Sequence, residues 1–237
     1  MNRKRTHQTT SIDMYVNISA GKGVTIFSGV SFSDFIECIP TPVENILLLK
    51  SGYLAPKNRR GFEVLEGKDN ISELLREDIY SYGDFSFIDY KDADSIEQLK
   101  NEHVAELLYL AHTLEPLKSP YFEALQNKFV YLSHDDGWWC KIFCRDLQIP
   151  ISIAVNKLQK SIRYALRKNE YFLPDDAIEA VQKLSAKGLL VSINLSGQKR
   201  NSCTMKFYEV GECENPDTLF NSPAHKNLPV SFEALLK

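Results

Sequence analysis

The stretch from Phe129 to Arg145, with the sequence FVYLSHDDGWWCKIFCR, constrains the fold of this chain more than any other. Two apolar runs flank Asp135-Asp136-Gly137, and Asp-Gly between such runs is a strong short-range signal for a β-hairpin. The same stretch holds both tryptophans and two of the five cysteines. The sequence therefore predicts that this hairpin is the central element of a mostly antiparallel sheet.

The other periodic segments alternate between strand and helix patterns, which predicts an α+β fold with helices packed on the sheet. Residues 12–30 alternate around a glycine turn and indicate a second hairpin. Residues 41–50 begin with capping residues and a proline, so they are predicted to form a helix. Apolar residues at the helical period predict a long helix over 95–114, packed across one sheet face. The end of the chain, 230–236, is interpreted as a short docking helix.

Charge is distributed unevenly along the chain. Residues 151–210 contain ten Lys or Arg and five Asp or Glu, a net charge of +5, against −3 for the whole chain. Their predicted order of helix, helix, strand, basic loop and strand matches the later part of a winged helix-turn-helix. The predicted organisation is an α+β main domain over 1–148, a basic, winged-helix-like helix-helix-hairpin subdomain over 149–210 and an irregular tail over 211–237.

The turn residues His134, Asp135 and Asp136 are the candidate catalytic residues. A histidine beside carboxylates suits a general base or half of a metal site. His103 and Glu106, on the predicted 95–114 helix, are placed so that a metal pocket between helix and hairpin is conceivable. The alternative is that Asp-Asp-Gly serves the backbone of a tight turn alone.

Alternation along the second strand of the hairpin separates its side chains onto two faces. One face, predicted to be core, is apolar: Trp138, Cys140, Ile142 and Cys144. The other face alternates aromatic with cationic residues: Trp139, Lys141, Phe143 and Arg145. This second face is the predicted partner-binding surface, because exposed rings and cations suit recognition. It equally suits a strand covered by a loop, with cationic stems lying along the rings.

The basic segment predicts contacts to nucleic-acid phosphates. Five candidate residues form a cationic stripe on the helix predicted over residues 152–169: Lys157, Lys160, Arg163, Arg167 and Lys168. The other two, Lys199 and Arg200, lie in the basic loop. Against this interpretation, the helix at 175–187 that would enter the DNA groove begins with Asp175-Asp176, which a DNA backbone would repel. The alternative is a basic helix face that is solvated or docked on the acidic remainder of the same protein.

Several protein classes are disfavoured by the sequence. Five scattered cysteines have no zinc-ribbon spacing, so no metal and no cofactor are predicted, and the thiols indicate a reducing, cytoplasmic location. No apolar run approaches the length of a membrane span, which predicts no membrane contact. Phosphate-loop, nucleophile-elbow and zinc-protease motifs are absent from the sequence.

The composite expectation is a soluble, non-enzymatic binding or regulatory protein of a bacterial or phage accessory type, with an unidentified protein partner. A nucleic-acid-binding regulator acting through the basic segment is the first alternative. A small hydrolase or metal-dependent enzyme centred on His134, Asp135 and Asp136 is the second.

Overall fold

The computed structural model describes residues 11–50, 62–77, 83–194, 202–216, 218–219 and 228–236. The strands are β1 (Ser11–Ser19), β2 (Val24–Ser28), β3 (Asn45–Lys50), β4 (Glu63–Glu66), β5 (Phe85–Asp89), β6 (Phe129–His134), β7 (Trp139–Cys144), β8 (Leu189–Asn194), β9 (Cys203–Glu209) and β10 (Phe232–Leu236). The helices are α1 (Phe32–Cys38), α2 (Gly67–Leu74), α3 (Ala93–Glu97), α4 (Asn101–Leu110), α5 (Gln148–Leu166) and α6 (Asp175–Ser185).

The strands form one sheet in the order β10-β9-β8-β1-β2-β7-β6-β5-β3-β4, and every neighbouring pair is antiparallel. The predicted hairpin is β6–β7, and β7 lies near the middle of the sheet, paired with β2 on its other side. Asp135 and Asp136 adopt the left-handed conformation, with φ of 52° and 53°, which aspartate tolerates better than most residues. The α+β prediction and the central hairpin are confirmed.

Both faces of the sheet are covered by helices. In β3, Ile46 and Leu48 belong to the larger core under α1, α5 and α6, whereas Leu47 and Leu49 belong to the core under α3 and α4. An apolar strand that is buried on both faces reads as a continuous apolar run instead of an alternating one. The helix predicted over 41–50 is therefore wrong: these four leucine and isoleucine side chains are all buried in a strand.

Three further predictions are corrected by the structure. The predicted helix over 95–114 is two helices, α3 and α4, that pack on the smaller core. Residues 232–236 form β10, since Phe232 and Leu236 alternate toward the larger core beside β9. Trp138 was assigned to the core but its side chain is 69% exposed, because the turn extends to this residue and the strand begins at Trp139.

The hairpin β8–β9 is continuous with the rest of the sheet. Strand β8 pairs with β1 from Ser11↔Asn194 to Val16↔Leu189 and with β9 on its other side. The winged-helix-like unit is thus not confirmed, and the proposed domain boundaries at 148 and 210 stay a prediction. None of the helices in the described ranges is long and apolar enough to cross a membrane.

Candidate functional site

The β6–β7 turn separates the three candidate catalytic residues. Asp135 and Asp136 are exposed, whereas His134 is half-buried and its ring stacks on Trp139, with centroids 4.1 Å apart and planes 13° apart. The Nε2 atom of His134 is buried without a hydrogen-bond partner among the described residues. The imidazole is therefore packed against the sheet, where it stacks on its cross-strand neighbour.

Burial lowers the pKa of His134 to about 4, and nearby charges modify this effect: Asp84 and Glu115 raise the pKa, and Lys141 lowers it. The unfolded chain takes up a proton on this histidine below about pH 6.5, whereas the folded chain resists uptake until about pH 4. A depressed histidine pKa thus makes stability fall as the pH falls through this window.

We expect His134→Phe to flatten the acid side of the stability profile. Between pH 7 and pH 5 the parent protein should lose about 2 kcal/mol of unfolding free energy through His134 that the variant does not lose. Phenylalanine preserves the stack on Trp139, so urea unfolding followed by tryptophan fluorescence reports both proteins. If the unfolding free energies of the two proteins change with pH in parallel, the folded state takes up a proton on His134 as readily as the unfolded state does.

A metal pocket between helix and hairpin is not found in the part of the chain that the structure describes, where no group of three or more His, Cys, Asp or Glu side chains could hold a metal ion. His103 lies edge-on to the ring of Phe122, with centroids 6.2 Å apart. Glu106 pairs with Lys118 at 3.2 Å. The catalytic role of the turn stays a prediction, without a neighbouring cluster to support it.

The predicted partner-binding strand face is engaged within the chain. Trp139 and Phe143 are buried, at 9% and 6% exposure, on the face opposite the larger core. Lys141 pairs with Glu115, and the Arg145 guanidinium lies 4.3 Å above the ring centroid of Tyr121. This arrangement matches the covered-strand alternative, and partner binding by these four residues stays a prediction.

Two of the predicted nucleic-acid-binding cations are held by helix α1. Asp34, 8% exposed, accepts hydrogen bonds from Lys157 Nζ at 2.5 Å and from Lys160 Nζ at 2.9 Å. Lys160 also pairs with Glu37 at 2.6 Å. Burial alone would raise the pKa of Asp34, but the two lysines outweigh it and lower the pKa to about 2. This part of the cationic stripe is docked on acidic residues of the same protein.

The other end of the stripe points outward. Arg163 and Arg167 are exposed and have no ion-pair partner within 4 Å among the described residues. Lys168 lies over the ring of Tyr171, 5.6 Å from its centroid. Lys199 and Arg200 lie outside the described residues. Nucleic-acid contact by these residues stays a prediction.

The end of α5 is shaped by a left-handed cap. Arg167 has a φ of 54°, and the amide of Lys168 donates to the carbonyl oxygen of Arg163 at 3.0 Å. This closure reverses the chain direction and brings Tyr171 and Phe172 beside α1 and α5. Leu173, the next residue, is buried in the larger core and anchors the segment.

A cleft of about 300 Å³ lies between α1, α5 and this segment. It is lined by Glu37, Cys38, Asn156, Gln159, Lys160, Arg163, Glu170, Tyr171 and Phe172. Asn156 closes its floor by donating to the carbonyl oxygen of Cys38 at 2.8 Å. Burial raises the pKa of the Cys38 thiol to about 11, so the thiol is neutral at pH 7.

Two large aromatic side chains stand in solvent at this end of α5. Tyr164 is 82% exposed and Phe172 is 76% exposed, more than any other large apolar side chain in the described residues. Neither residue is among the predicted site residues, because helical periodicity identifies which residues face the core and gives no account of an aromatic residue on the opposite face. The available signal is the aromatic pair Tyr171-Phe172, which begins three residues after Lys168.

Comparisons of this chain with protein-family models, with curated proteins and with solved structures found no match.

Proposed function

We propose that this protein is a non-enzymatic binding protein and that a protein partner docks on the α5 terminal surface. This surface consists of Arg163, Tyr171 and Phe172, which line the cleft, and of Tyr164 and Arg167, which are exposed at the same end of α5. The observation that carries the proposal is the exposure of Tyr164 and Phe172, 82% and 76%, at this end of the helix. The rings of the neighbouring helix α1, Phe32 and Phe35, are in contrast only 1% and 0% exposed.

The composition of the surface supports this proposal. Tyrosine, phenylalanine and arginine are the residue types enriched where protein partners meet, and a few such residues usually carry most of the binding energy. Each exposed ring leaves apolar area in contact with water. A partner that covers this area gains roughly 25 cal/mol of free energy for each Å² removed from water.

The rigidity of the supporting helix is a second support. Helix α5 is held on α1 by the Asp34 ion pairs with Lys157 and Lys160 and by the bond from Asn156 to Cys38. A surface whose backbone is already fixed loses less conformational freedom on binding, and the smaller entropic cost makes binding tighter. The α5 terminal surface therefore has the preorganisation that a docking site requires.

The two buried cysteines of β7 are unsuited to nucleophilic catalysis. Burial raises the pKa of Cys140 and of Cys144 to about 12, so both thiols are neutral at pH 7 and poor nucleophiles. All five cysteines are free, which fits the reducing cytoplasm in which we place the protein.

Removing the two exposed rings tests the proposal. Tyr164→Ser with Phe172→Ser should fold normally, because both side chains are largely in solvent. In the cells that make the protein, the affinity-tagged parent should co-purify a partner that the double variant loses, measured by quantitative mass spectrometry. Trp138→Ser, which removes another ring at 69% exposure from the β6–β7 turn, is the matched control and should retain the partner. Equal capture by all three proteins would contradict the proposal.

A further inference from the structure

We infer that the partner contributes an acidic segment with an apolar side chain, which the cleft and the α5 terminal surface bind together. This inference rests on the proposed function and specifies the chemistry of the partner. It follows from three features of the surface: its net charge, the size of its cleft and the carboxylates that already pair with Lys157 and Lys160.

The charge that remains available at the surface is positive. Lys157 and Lys160 are satisfied by the carboxylates of α1 and hold the helix in place. From residue 163 to residue 172 the chain has three cations and one carboxylate, Glu170, a net charge of +2. Arg163 and Arg167 are the cations of this stretch that are exposed and have no ion-pair partner among the described residues. Carboxylates of a partner are the groups that planar guanidinium groups bind best.

The cleft is the right size for one side chain. At about 300 Å³ it lies at the small end of the range for ligand pockets, so it admits a side chain from an extended segment and excludes a whole helix. Tyr171 and Phe172 supply the aromatic part of its lining, beside polar and charged side chains. Arg163 also lines the cleft, which places a guanidinium group beside the position of the bound apolar residue.

A nucleic acid fits this surface less well than an acidic protein segment. Glu37 and Glu170 line the cleft and would repel a phosphate backbone and a peptide carboxylate alike, so the discrimination rests on the number of free cations. The cations that would complete a continuous phosphate track, Lys157 and Lys160, are bound to Asp34. The affinity that phosphate neutralisation supplies grows with the number of free cations, and here that number is reduced.

Short synthetic peptides test the inference in solution with the full chain. The main probe is a fluorescein-labelled peptide of Glu and Gly with one central Phe. Its comparisons are the same peptide with Ser in place of Phe, a peptide of Lys and Gly with the central Phe, and a labelled thymidine oligonucleotide. Fluorescence anisotropy should show the Glu-Phe peptide binding most tightly, more weakly as salt is raised, because salt screens exposed charges.

Charge reversal identifies the residues responsible. Arg163→Glu with Arg167→Glu should weaken binding of the Glu-Phe peptide by about tenfold or more. The matched control is Lys100→Glu with Lys183→Glu, which changes the net charge equally at exposed positions outside α5 and should bind like the parent. Both pairs are exposed, so neither variant should unfold.

The inference is overturned if the Lys-Phe peptide or the oligonucleotide binds as tightly as the Glu-Phe peptide, or if the two charge reversals have the same effect. If those results occur while Tyr164→Ser with Phe172→Ser still abolishes partner capture, the proposed function stands and only the chemistry assigned to the partner is wrong. If capture is also unaffected, both fail.

Discussion

Replacing Gly188 by alanine is expected to destabilise the protein by about 4 kcal/mol, since left-handed strain and the loss of two backbone hydrogen bonds combine. Gly188 has a φ of +76°, and a Cβ atom there would lie 1.8 Å from the carbonyl oxygen of Gly211. The two backbones are tied together at this point: Val210 donates to Gly188 at 2.9 Å and Gly211 donates to Lys187 at 3.1 Å. A side chain at 188 must push the backbones apart and break both bonds.

Gly211→Ala is the matched control for this substitution. Gly211 also has a left-handed conformation, with a φ of +85°, but its Cβ position has no heavy atom within 4 Å. It should therefore cost only the conformational penalty, about 1–2 kcal/mol. Urea unfolding followed by fluorescence of the buried Trp139 measures both variants. Equal unfolding midpoints would show that the chain accommodates the methyl group and that the close contact is not a constraint.

Much of the sheet follows from local sequence patterns. The β1–β2 and β6–β7 hairpins were predicted because alternation and turn residues act over a few neighbours, and the structure confirms them. Strand β3 was mistaken for a helix because its burial on both faces depends on helices that are distant in sequence. A local pattern does not distinguish a strand covered twice from a buried helix.

In the candidate site, too, local patterns are predictable from the sequence and long-range contacts are not. The cationic stripe of α5 was evident from spacing along one helix, but the carboxylate that binds it, Asp34, precedes Lys157 by 123 residues. Which lysines are neutralised and which arginines remain exposed is decided by that long-range contact. The exposure of Phe172 depends likewise on the left-handed cap at Arg167. The sequence does not predict this cap, because residues other than glycine rarely adopt a left-handed conformation.

Asp34→Ala is expected to destabilise the fold by about 3–5 kcal/mol, the range for removing one partner of a buried ion pair. The carboxylate is 8% exposed and accepts hydrogen bonds from both lysines and, through the capping box of α1, from Ser31. Its removal leaves the ammonium group of Lys157 without a counterion, in a side chain that is only 16% exposed. The cost arises mainly from this uncompensated charge, together with the loss of the half of the capping box that the Asp34 carboxylate provides.

Two comparisons separate the buried charge from the ion pair at its rim. Glu37→Ala removes the other carboxylate, but the Glu37–Lys160 pair is partly solvated, with side chains 53% and 36% exposed, so it should cost at most about 1 kcal/mol. Adding Lys157→Met to Asp34→Ala should recover part of the stability, because it removes the stranded ammonium group and keeps the stem. If the double variant is no more stable in urea than Asp34→Ala alone, the loss comes from the helix cap, and the lysine is adequately solvated without its partner.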